Sequence, residues 1–193
     1  QYRTDVDLQA MHAALPVIAV WDDHEIANDA WREGAENHTE GVEGAFADRR
    51  AAAIRAYHEW MPTRLPDPAR PDRIYRSFRF GNLLSLHMLD TRVIGRDQQM
   101  DYANYFGASG FDTVRFTADL TDPNRTLLGA EQNDWLGLQL AQSDTTWDML
   151  GQQVTAAATF AAIVLMVLFA NQRLRLWAPL IGVGIGTALA AWF

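Results

Sequence analysis

Within VWDDHEIANDAW, residues 20 to 31, Asp22, Asp23, His24, Glu25, Asn28 and Asp29 crowd into one short stretch. Carboxylate and amide oxygens with one imidazole form a hard donor set that suits calcium, magnesium, manganese, iron or zinc. So many acids side by side repel one another unless cations or protons intervene. A purely structural use, capping a following helix, would employ Asp22 or Glu25 and leave the others unexplained. A second constellation is Asp90 and Arg92 in LHMLDTR, where the guanidinium could grip two phosphate oxygens or form a buried ion pair with Asp90. His87 alternates with apolar residues and is expected to be a hydrogen-bonded structural histidine. His58 is expected to pack or to lie on a helix surface, and His12 and His38 to face solvent.

The flanking pattern indicates how these residues would be positioned. LPVIAV, ahead of the acidic turn, has the β-branched content of a buried strand, and α/β folds bind ligands where such strands end. Residues 5 to 14 predict a helix with Leu8, Met11 and Leu15 inward, stopped at Pro16. From 44 to 61, Phe46, Ala53, Ile54, Tyr57, Trp60 and Met61 recur at helical spacing. IYRSFRFGNLLSLHMLD reads as two strands about a Gly81-Asn82 turn, the second ending at Asp90. Residues 91 to 124 lack periodicity and are expected to form a long surface loop. A helix through Trp135, Leu138 and Leu140 and a strand in WDMLGQQV follow. This alternation predicts an α/β body.

Composition limits the partners. The 193 residues carry a net charge of −8, and every one of the 16 basic residues is Arg. An acidic body disfavours nucleic acid as a binding partner. The absence of Lys excludes Schiff-base chemistry, and the absence of Cys excludes thiolate ligands and disulfides. No basic segment leading into an apolar run precedes Leu15, so no signal peptide is visible.

VWDDHEIANDAW, RAYHEWMPTR, YRSFRFGNLLSLHMLDTR and WDMLGQQV, in that order, resemble the alkaline-phosphatase-D (PhoD-like) family of metallophosphoesterases from about Tyr2 to Val154. The resemblance implies a two-sheet sandwich flanked by helices, here incomplete. It also implies a centre of two divalent or trivalent metal ions, among calcium, iron, manganese and zinc, that hydrolyses phosphate esters. Members are phosphomonoesterases or phosphodiesterases, often exported, which implies an extracytoplasmic or membrane-associated location. DDHE resembles the superfamily turn that supplies a metal ligand followed by a catalytic histidine. This places Asp23 at the metal-ligand position and His24 at the catalytic one. From the residues themselves, Asp22 and Asp90 are further metal-ligand candidates, Asn28 and Arg92 further catalytic candidates, and Glu25 or Asp29 could orient His24. A carboxylate-held cation polarises phosphoryl oxygen, and protonated His24 could donate to the leaving oxygen. The family's other ligand blocks lie outside the resembling region, whereas two metals need about six protein ligands.

After Val154 the composition changes. Residues 155 to 170 and 177 to 193 are uncharged, separated by NQRLRL. The expected division is a partial phosphatase domain at 1–154 and an apolar helical hairpin at 155–193, off the family pattern. Each run is near the lower limit of about 17 residues for a membrane span. A pair of buried core helices is the alternative. The alternative to the hydrolase reading is a membrane-tethered, non-catalytic cation-binding protein or a chimeric product.

Overall fold

The computed structural model describes residues 4–61 and 63–153. The expected C-terminal hairpin, with its possible membrane contact, lies outside the described residues. Among those described, no helix is long and apolar enough to cross a membrane.

The architecture is mixed α/β. Helix α1 (Val6–Ala14) is capped by the Asp5 carboxylate, which accepts from the Leu8 N–H at 2.9 Å. It ends before Pro16 as expected, but the inward set is corrected: Met11 and Leu15 are exposed and Leu8 is only half-buried. A second correction concerns VIAV. It is extended but belongs to none of the ladders of the described residues; Val17 is exposed, and residues 18 to 20 are half-buried. Side chains hold this segment instead of strand neighbours. Arg76 Nη2 donates to the Ala19 carbonyl at 2.9 Å, and Gln153 Nε2 to the Trp21 carbonyl at 2.8 Å.

After a short helix α2 (Glu40–Glu43), α3 (Phe46–Trp60) forms where the spacing predicts it. Phe46, Ile54 and Tyr57 are buried, and Ala53 and Met61 pack against the core. Trp60 departs from the expected set. It lies about 120° around the cylinder from Ile54, at the margin of the stripe, and is 71% exposed. The core seated on α3 also contains Trp21, Ile26, Ala27, Ala30, Ala35, Ile74 and Val93. The acidic turn therefore sits directly on apolar packing.

Strands β1 (Arg76–Phe80) and β2 (Leu84–Met88) pair antiparallel around the Gly81-Asn82 turn, with Ser77 opposite His87. The stretch from 91 to 124 is more ordered than a loop. It contains a 3-10 turn (Tyr102–Tyr105), a two-stranded ladder of β3 (Phe106–Gly107) and β4 (Gly110–Phe111), and helix α4 (Thr113–Leu120). Its rings contact one another: Tyr102, Tyr105 and Phe111 each lie within 5.5 Å of Phe116, centroid to centroid. Aromatic contacts of this kind need no helical or strand period, so the pattern missed them.

Helix α5 (Gly129–Gln142) buries Gln132 and Leu136, while the expected Leu138 and Leu140 are exposed. Strand β5 (Trp147–Gly151) then adds parallel to β2, giving a three-stranded sheet in the order β1-β2-β5.

Candidate functional site

The acidic stretch folds as consecutive turns rather than as a helix start. The Asp23 carbonyl accepts from the N–H groups of Ile26 and Ala27, both at 2.8 Å. Glu25 closes the first turn by accepting from the Asp22 N–H at 2.8 Å, so it does not orient His24. Asp29 adopts φ 48°, a left-handed conformation that Asp tolerates better than most residues. Its N–H donates to Asp23 Oδ2 at 2.9 Å, which locks the two acids together.

His24 is oriented by Asn28. Its Nε2 lies 2.7 Å from Asn28 Oδ1, and the Asn28 amide nitrogen in turn donates to Glu36 Oε2. Because that amide donates to a carboxylate, its oxygen faces the imidazole and the Nε2–H is the donor. Nδ1 is then the nitrogen left for exchange with a ligand. The side chain of His24 is 76% exposed, so a ligand can reach it. The Asn28 hydrogen bond and the neighbouring Asp23 charge hold its imidazolium above the ordinary 6.5. For Asp23, burial pushes the carboxyl up, but the Asp29 N–H and the Arg92 guanidinium outweigh it and the net shift is downward.

Arg92 supplies the missing counter-charge. Its Nε donates to Asp22 Oδ1 at 2.7 Å, and its terminal nitrogens lie 3.4 Å from Asp29 Oδ1 and 3.7 Å from Asp23 Oδ1. The expected ion-pair alternative is thus corrected in its partners: Arg92 bridges the acidic turn, while Asp90 receives only the Arg92 backbone N–H, at 2.8 Å. Asp90 is fully buried. It also accepts from Trp21 Nε1 at 3.0 Å and from the Val93 N–H at 3.0 Å. With hydrogen bonds on both oxygens, Asp90 holds the loop. Burial raises its pKa despite them.

Several positioning residues gave no clear signal in the sequence. Gln132 accepts from the Asp90 N–H at 2.8 Å and donates to the Asp90 carbonyl at 2.7 Å, so it fixes that residue from both sides. Its i,i+4 relation to Leu136 was the available clue. Gln153 spans Trp21 and Thr91, and Asn37 accepts from the Asn28 N–H at 3.0 Å.

These turns, with their downstream LDTR loop, match the family model described as PhoD-like phosphatase over residues 1–167. The chain belongs to the PhoD-like phosphatase family. Among its PhoD-like relatives, alkaline phosphatase D of Bacillus subtilis (strain 168) is 44% identical over 156 residues, covering 80% of this chain and 25% of the relative. A solved structure of PhoD superposes with a TM-score of 0.62 at 42% identity, covering 79% of this chain and 28% of that one. The chain therefore spans about a quarter of the length of the PhoD-like proteins it matches. Within the described residues no three His, Cys, Asp or Glu side chains converge as a metal-binding group. These residues alone do not complete a two-metal centre: Asp22 and Asp23 also face Arg92, and Asp90 already accepts three hydrogen bonds.

Proposed function

We propose that the chain carries the proton-donor turn of a metal-dependent phosphoric ester hydrolase, an alkaline phosphatase or phosphodiesterase. The observation that supports this most is the His24–Asn28–Glu36 relay. It presents an exposed imidazole, its pKa raised by the Asn28 hydrogen bond and the Asp23 charge, beside a carboxylate turn whose charge an arginine partly offsets. In this reading His24 Nδ1–H donates to the leaving oxygen of a phosphate ester, and Asn28 fixes the ring. Arg92 lessens the repulsion between the negative turn and the phosphate, because its guanidinium offsets one of the three charges on Asp22, Asp23 and Asp29.

Asp23, with Asp22 beside it, is the oxygen-ligand candidate for the metal ions that the family uses. They furnish only part of a ligand set, so no step is assigned to the metal. Residues 1–154 form part of the family's two-sheet sandwich in this reading, and an extracytoplasmic location goes with the resemblance. Calorimetric titration of the purified chain with manganese, calcium and zinc tests the ligand assignment. Binding that disappears in Asp23→Ala supports it. Equal heats in the chain and the variant, or none in a folded chain, contradict it.

A further inference from the structure

Away from the acidic turn, the three-stranded sheet brings together a serine, a histidine and an aspartate, one from each strand, with Asp148 two positions off the register partner of His87. Ser77 on β1 stands opposite His87 on β2 in the antiparallel register, with its Oγ 2.7 Å from His87 Nδ1. On the other side, Asp148 of the parallel strand β5 places Oδ1 2.9 Å from His87 Nε2. The accessibility is graded: Ser77 is exposed, the His87 side chain is 2% exposed and that of Asp148 27%. The edge of the Trp135 ring closes over the imidazole from α5.

From this geometry we propose that Ser77 is an activated nucleophile with His87 as its base and Asp148 as the positioning residue, able to accept acyl groups from activated carboxylic esters. The protonation pattern follows from the partners. The hydrogen bond from His87 holds the Asp148 carboxyl below its ordinary range, so it stays an acceptor and places the imidazole proton on Nε2. Nδ1 then has a lone pair aimed at the Ser77 hydroxyl, which donates to it. A nucleophile and base within about 2.6–3.2 Å, with the base oriented by a third group, is the arrangement that hydroxyl activation requires. The ring is used in the reverse sense to the serine-protease template, where the serine meets Nε2. The roles depend on geometry rather than on which nitrogen faces which partner.

In the reaction, Ser77 Oγ bonds to the acyl carbon and the bond from that carbon to the leaving oxygen breaks. The hydroxyl proton moves to His87 Nδ1 and then to the departing alkoxide or phenolate. Water attacks the acyl-serine with His87 again as base, releasing a carboxylic acid and restoring the hydroxyl. No metal enters, so the site is independent of the acidic turn.

The test treats the full 193-residue chain with an alkyl fluorophosphonate, an electrophile that reports base-activated serines, and maps adducts by peptide mass spectrometry. The expected result is one adduct, on Ser77, absent from Ser77→Ala and unaffected by a chelator. Asp148→Asn is expected to slow labelling by about a hundredfold, and Asp148→Glu to restore much of the rate, a recovery that a merely structural contact would not produce. Near-ultraviolet circular dichroism establishes that each protein is folded. Unmodified Ser77 in the folded chain, or equal rates in the chain and Asp148→Asn, overturns the proposal.

Discussion

Arg92 contacts three carboxylates from a side chain that is only 11% exposed, so the acidic turn draws its counter-charge from one residue far away in sequence. Arg92→Leu is expected to destabilise the fold by about 1–3 kcal/mol in urea unfolding, less than for a fully buried pair because Asp22 and Asp29 are about half in water. An unchanged midpoint would show that the acids tolerate one another without it. His24 titrates in the opposite sense to Asp23. Its raised pKa means that its contribution to stability is fully present below about 6.5 and is lost as the pH rises through the folded value. Asp23, shifted down, contributes above its ordinary 3.8 and loses that contribution as the pH falls through the folded value. An NMR titration should therefore place the His24 midpoint above 6.5 in the native chain and nearer to 6.5 in Asn28→Ala. Equal midpoints would remove Asn28 from the relay. Asp23, His24 and Asn28 stood out in the sequence as members of one chemically unusual stretch, but that Asn28 orients His24 did not, since Glu25 or Asp29 was expected there. Glu36 and Asn37 did not stand out, since polar residues in an irregular segment have no period to betray their contacts.

At the level of elements, the loop after β2 is pinned to α5 by contacts that no apolar pattern records. Gln132→Leu would leave the Asp90 N–H and carbonyl without the partners that now hold them. The expected loss is about 1–3 kcal/mol, read as a lower denaturation midpoint, because buried backbone groups pay the full desolvation cost. The same junction brings two glycines together. A Cβ on Gly95 would stand 2.2 Å from the Leu128 carbonyl oxygen and 2.4 Å from the Gly129 nitrogen, both backbone atoms. Gly95→Ala should therefore push α5 away from the loop and lower the midpoint by about 1–3 kcal/mol. A native midpoint in that variant would mean that the loop and helix can separate freely. Helix α3 and the β1–β2 hairpin were readable because their apolar periods of 3.6 and 2 coincide with burial. VIAV was misread as a ladder strand because β-branched content marks extended backbone without specifying a hydrogen-bonded neighbour.

Across the whole molecule, the described surface exposes large apolar side chains on α1, α3, α5 and β5. Met11, Leu15, Trp60, Leu138, Trp147 and Met149 are all more than 40% exposed. Where such side chains adjoin one another they favour association. Light scattering of the purified chain should show a weight-average mass that grows with concentration, whereas a constant monomer mass would show that these side chains are not continuous enough to associate. The mixed α/β class was evident from the alternation of patterns. The extent of the family relationship was visible only in part, since the matched stretch continues through residue 167, beyond the composition break at Val154.

The role proposed for His24 is that of proton donor in phosphoric ester hydrolysis. Nitrophenol release from an aryl phosphate by the full chain, with manganese, calcium, zinc or iron supplied, tests it most directly when compared with His24→Ala. The expected result is metal-dependent turnover that falls by about 10²–10⁴ in the variant while the fold is retained. Turnover that is equal in the two proteins, or none in a folded, metal-supplied native chain, would contradict it.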